Sequence, residues 1–176
     1  GDLADPPPDF NDFFTDAIQR DVAFEYREQR PDAPSDGKAV IVTAGPPGAG
    51  KSTILDDLVY DHRRIDPDEI KDLLLVRADA KGLLESRHGH TFADGVSVSL
   101  RELSWWVHEI ANDIAIDVRA VSLRLGENIV IEGTLQWFPL VNQYTAELAD
   151  SDYETLTVVD VEVPLGVAIE QARSTV

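Results

Sequence analysis

Lys38-Ala39-Val40-Ile41-Val42-Thr43-Ala44 runs without a break into Gly45-Pro46-Pro47-Gly48-Ala49-Gly50-Lys51-Ser52, and this stretch decides the fold. The first half, KAVIVTA, is a short β-branched run of the kind that makes a buried parallel strand. The second half fits the phosphate-binding P-loop pattern of glycine, four residues, glycine, lysine and serine, and Ser52 to Tyr60 behind it reads as a helix. Glycines let successive backbone N–H groups converge on phosphate oxygens, and the helix amino terminus adds partial positive charge. In that pattern Lys51 bridges the terminal phosphates and Ser52 ligates magnesium. The expected nucleotide-binding set is Gly45, Pro46, Pro47, Gly48, Ala49, Gly50, Lys51, Ser52 and Thr53.

On either side of this segment, strand and helix patterns alternate. His62 to Asp66 reads as a short strand and Pro67 to about Val76 as a helix, with Asp66 as N-cap, Pro67 at the first helical position and Glu69 completing a capping box. Leu103, Trp106, Val107, Ile110, Ile114, Val118, Val121 and Leu125 keep helical spacing up to Gly126. Asn128 to Ile131 reads as a strand, Val141 to Ala149 as a helix, Thr155 to Val163 as a strand and Leu165 onward as a final helix. Upstream, Phe10, Phe14, Ile18 and Val22 recur every four residues, predicting an amphipathic helix to about Gln29 after an extended lead-in, GDLADPPPD. This alternation predicts an α/β protein: a three-layer parallel sheet with helices on both faces. Residues 1–37 are expected to form the lead-in and amphipathic helix, and residues 38–176 the nucleotide-binding domain.

Composition narrows the chemistry. The 176 residues carry a formal charge of -18, from 15 Lys and Arg against 33 Asp and Glu, which disfavours nucleic acid and anionic lipid as partners. An acidic surface of this kind is also ordinary in a salt-rich habitat. With no Cys, a disulfide framework, a thiolate metal site and a Cys nucleophile are all excluded. No window is long and apolar enough for a membrane span and the amino terminus does not resemble a signal peptide, so the expected location is cytoplasmic.

A P-loop alone gives nucleotide binding, so the class must come from other residues. There is no NKxD-type guanine motif, and no hhhhDE strand of the motor and AAA-type ATPases. Instead one predicted strand leads into Asp66 and Asp68, and another, Ile129-Val130-Ile131, into Glu132-Gly133-Thr134. In an open parallel sheet the carboxyl ends of the strands face the ligand crevice, so these acids are expected near the transferred phosphate. That is the plan of a small-molecule kinase.

Taken in order, GPPGAGKS, IDPDEIK, VHEIAND, NIVIEGT and a strand ending VEVP resemble the zeta toxins, over roughly residues 38–176. Zeta toxins are P-loop kinases of toxin–antitoxin systems that phosphorylate UDP-N-acetylglucosamine on the 3'-hydroxyl of the sugar, blocking cell-wall synthesis. The resemblance implies ATP or GTP as donor, Mg2+ as cofactor and an antitoxin protein as partner. It implies Asp68 as the base for the sugar hydroxyl, and Glu132 and Thr134 as residues that hold the amino sugar. It also implies arginines on a helix after the last strand, which balance charge during phosphoryl transfer. Arg173 is the one such residue here, and its register is not a clean match. The chain stops at Val176 before a second such arginine or a fifth strand, and it has no Met. Both features raise the expectation that the carboxyl-terminal lid and last strand are missing from the sequence.

Other kinase acceptors stay open at this point: an antibiotic, a nucleoside, a polynucleotide end or a nicotinamide dinucleotide. So does a degenerate homologue that binds nucleotide and transfers nothing. Arg63 and Arg64 fit either phosphate contacts or a solvated surface, and His108-Glu109 either a family pair or the polar face of a helix. Trp105, Trp106 and Trp137-Phe138 suit core packing better than base stacking, and His88 and His90 lack companion metal ligands nearby.

Overall fold

The computed structural model describes residues 5–36, 38–44, 61–85, 87, 95, 98–132, 146–153 and 155–160. Two compact units emerge, each built from two separate stretches of chain: residues 1–29 with 67–117, and residues 30–66 with 118–176.

The second unit holds the sheet. Strands β1 (Ala39–Ala44), β2 (Arg63–Ile65), β3 (Ile129–Glu132) and β4 (Thr155–Asp160) lie in the order β2-β3-β1-β4. All three pairings are parallel, as the alternation of strand and helix patterns predicts. Consecutive residues Val40, Ile41, Val42 and Thr43 of β1 are all buried, so both faces of the sheet are covered. Val40 pairs with Ile129 and with Leu156, and Ile65 pairs with Ile131, which fixes the register across all four strands.

The first unit is helical. The predicted Phe10–Gln29 helix is in fact two, α1 (Phe10–Phe13) and α2 (Asp16–Glu28). Thr15 divides them, because its hydroxyl accepts from the Ile18 N–H at 3.4 Å and so caps a new helix start. The apolar stripe nonetheless packs as one surface: Phe10, Phe14, Val22 and Tyr26 are buried, and the Phe10 ring meets Trp106 edge-on at 5.3 Å. Helix α3 (Pro67–Ala80) buries Ile70, Leu74, Leu75 and Ala78, the spacing of one helical face, and packs against α2.

The long helix predicted from Leu103 changes type partway. Residues Leu100–Val107 form a 3-10 helix, and α4 (His108–Arg124) continues it. The Glu102 carboxylate accepts from the Ser99 N–H and anchors that start. Helix α4 ends at Gly126 as predicted. Its φ of +69° is left-handed, and the Glu127 N–H closes the turn on the Ser122 carbonyl at 3.0 Å. Residues 146–150 are helical, covering the end of the predicted Val141–Ala149 helix and one residue beyond it. The predicted helices at Ser52–Tyr60 and from Leu165 lie outside the described residues. No helix among the described residues is long and apolar enough to cross a membrane.

Candidate functional site

The carboxyl edge of the sheet gathers the residues with chemistry. β1 reaches Ala44 there, and Gly45 of the P-loop sequence is the next residue. Thr43 pairs with Glu132 at the end of β3, and Ala44 pairs with Asp160 of β4. One strand further out, Ile65 pairs with Ile131, so Asp66 follows β2 at the level of Glu132. Parallel strands lie about 4.8 Å apart. The backbones of Asp66, Glu132 and Asp160 therefore share one edge with the start of the P-loop sequence.

The topology opens this edge to a ligand. From β1 the chain leaves toward β2, and from β3 it leaves toward β4, so the connections of two adjacent strands depart in opposite directions. A crevice at the carboxyl ends is the usual consequence, and ligands of open α/β sheets bind there.

Asp68 belongs to the helical unit, in the first turn of α3 and two residues beyond Asp66. Its side chain is 81% exposed, and its Oδ1 accepts from Lys71 Nζ at 2.9 Å. Glu69 beside it accepts from the Tyr26 hydroxyl at 3.1 Å. Gly45 to Thr53, with Lys51 and Ser52, lie outside the described residues, as do Thr134, Arg173, His88, His90 and Trp137-Phe138. Glu132 is described in its backbone.

The opposite, amino-terminal edge accounts for Arg63. It is the first residue of β2, far along the sheet from the P-loop sequence, and it is neither solvated nor directed to phosphate. It is buried in an ion pair with Glu127, Nε to Oε2 at 2.7 Å and Nη2 to Oε1 at 3.3 Å. Tyr153 donates to the Glu127 carbonyl at 2.5 Å, and Asn128 Oδ1 accepts from the Ala39 N–H at 3.1 Å. Burial, reinforced by Glu127, pushes the Tyr153 phenol up to about 12. Arg30 donates to the His62 carbonyl, and burial lowers the His62 imidazole below its ordinary value.

Two more candidates are settled by packing. Trp106 is buried against Phe10, which makes it core, whereas Trp105 is half exposed. His108 Nε2 accepts from Asn112 Nδ2 at 3.3 Å on an exposed face of α4.

Asp160, Lys71, Tyr26 and Glu127 were not singled out from sequence. Asp160 follows the apolar Val158-Val159 inside the predicted Thr155–Val163 strand, of which residues 161–163 lie outside the described residues. Lys71 stands three residues after Asp68, a helical contact spacing that was equally visible.

A parallel doubly wound sheet whose first strand runs into GPPGAGKS defines the P-loop kinase-like α/β class. A solved structure from the PezAT chromosomal toxin–antitoxin system of the human pathogen Streptococcus pneumoniae has this fold. It matches with a TM-score of 0.60 and 21% identity, over 82% of this chain and 56% of that one. A calmodulin calcium-dependent NAD kinase of Arabidopsis thaliana is 26% identical over 104 residues, 59% of this chain. The chain thus spans just over half of the solved relative and 19% of the plant protein. No protein-family model matches it.

Proposed function

We propose that this chain is a zeta-toxin-like kinase that transfers the terminal phosphoryl group of ATP or GTP to the 3'-hydroxyl of UDP-N-acetylglucosamine. The observation that carries this reading is the carboxyl edge of the sheet, where Asp66, Glu132 and Asp160 share a level with the strand that enters the P-loop sequence. The fold it shares with a toxin–antitoxin structure supports it further.

In this reading Lys51 holds the donor's terminal phosphates, and Ser52 is the residue that would ligate Mg2+. The ion, when bound, screens charge on the phosphates. Glu132 and Thr134 orient the sugar. Asp68 accepts the hydroxyl proton as the sugar oxygen attacks the terminal phosphorus and the nucleoside diphosphate leaves. Arg173 neutralises charge that builds on the transferred group. Catalysis is then mostly positioning and charge stabilisation. The protein acts in the cytoplasm, and an antitoxin protein is its partner.

A second acceptor has a specific observation behind it. The similarity to a NAD kinase favours a nicotinamide dinucleotide. Incubating the chain with γ-labelled ATP, Mg2+ and either UDP-N-acetylglucosamine or NAD decides between them. Label in the sugar nucleotide supports the first reading, label in the dinucleotide the second, and label in neither overturns both.

A further inference from the structure

The first turn of α3 holds a contact that the mechanism above does not use. Lys71 Nζ lies 2.9 Å from Asp68 Oδ1, and the two ends differ sharply in environment: 12% of the lysine side chain is exposed against 81% of the aspartate. An ordinary pair three residues apart on a helix has both ends in water and adds little to stability. Lysine is among the side chains least often buried, and a covered one is usually paired. Here the covered lysine is the fixed member and the exposed aspartate the one being held.

The turn itself is anchored a second time. Tyr26, buried on α2, donates to Glu69 at 3.1 Å, and at the far end of α3 Arg77 pairs with Glu25 of the same helix as Tyr26 at 2.9 Å. An exposed carboxylate on an anchored turn still has its own rotamers to choose from. An ammonium fixed beneath it removes most of that choice. A reactant carboxylate misplaced by about 1 Å costs about 100-fold in rate.

We propose that Lys71 is the positioning residue for Asp68: by holding Oδ1 it sets the orientation in which the carboxylate takes the acceptor proton. The proposal rests on the kinase reading, with Asp68 as base, and deepens it.

The test measures transfer from labelled ATP to UDP-N-acetylglucosamine and to NAD for the wild type, Lys71→Met, Lys71→Arg, Asp68→Asn and the Lys71→Met/Asp68→Asn double variant. Thermal melting is followed in parallel. Lys71→Met is expected to lower kcat about 10-fold to 100-fold with KM for both substrates unchanged. Lys71→Arg should recover part of that loss. In the Asp68→Asn background, Lys71→Met should cost nothing more, because the group it positions is already gone. A second readout needs no turnover: the 15N signal of the Lys71 ammonium, slowed in hydrogen exchange in the wild type, should be lost in Asp68→Asn. A working kinase indifferent to Lys71→Met, or equally impaired by it in the Asp68→Asn background, overturns the positioning role alone. A wild type that shows the ammonium signal and phosphorylates neither acceptor overturns the kinase reading, and the role of Lys71 with it.

Discussion

The Tyr26 hydroxyl donates to Glu69 Oε2 at 3.1 Å across forty-three residues of sequence, tying the last turn of α2 to the first turn of α3. The amino-terminal helix is therefore packed on its own unit through Phe10, Phe14, Val22 and Tyr26, and it braces the turn that carries Asp68. Replacing Tyr26 by Phe keeps the ring and removes the bond to a carboxylate. We expect a loss of about 1–2 kcal/mol in urea unfolding. An unchanged midpoint would show that the brace carries no weight.

The Arg63–Glu127 pair is the costliest single contact to break among those described. Both side chains are buried and joined by two bonds, so Arg63→Met takes the guanidinium away from a carboxylate in the interior. The expected loss is about 3–5 kcal/mol. Because β2 begins at the edge remote from the P-loop sequence, ATP affinity of the protein that stays folded should not change. Weaker ATP binding at full stability would return Arg63 to the nucleotide site.

Tyr153 sets an alkaline limit on stability. Its phenol titrates near 12 in the folded chain and near 10 when unfolded. Between those values the folded state binds the extra proton, so stability falls as pH rises through that window, and below pH 10 this group contributes no slope. Absorbance of the tyrosinate should show one of the four tyrosines ionising late, and Tyr153→Phe should remove that late step. His62 acts on the acid side. Its lowered value means that the unfolded chain takes up the proton first, so stability declines as pH falls below the ordinary histidine range.

On the kinase reading proposed above, a chain of charge -18 that binds nucleotides works against its own average field. Loop amides, Lys51 and a bound ion act over a few ångströms, while the bulk charge is screened beyond about 8–10 Å at ordinary salt. Raising salt from low to moderate should strengthen ATP binding or leave it unchanged in calorimetry. A steep loss would mean that long-range attraction dominates.

The sheet was legible because β-branched runs bounded by Gly, Pro or Asp leave few alternatives, and β1, β2 and β3 fall within a residue of their expected ends. The division between α1 and α2 was not. Phe10, Phe14, Ile18 and Val22 keep their period across it, and the cap that makes it, Thr15, sits on the polar side where it disturbs no pattern. Nor was the 3-10 segment at Leu100–Val107, since apolar spacings of three and four do not separate it from an α-helix. The role of Arg63 needed a partner sixty-four residues away, which no local pattern supplies. Asp68 and Lys71 show the reverse: their spacing was plain in the sequence, and it took the unequal burial of the two side chains to give it meaning.

The central claim is phosphoryl transfer from a P-loop-bound nucleotide with Asp68 as base. ATP binding and label transfer to the acceptor, measured side by side for wild type, Lys51→Ala and Asp68→Asn, test it most directly. Lys51→Ala should lose both, whereas Asp68→Asn should bind ATP nearly as the wild type does and transfer about 100-fold to 10,000-fold more slowly. Asp68→Asn turning over at the wild-type rate, or Lys51→Ala losing neither activity, would contradict the account.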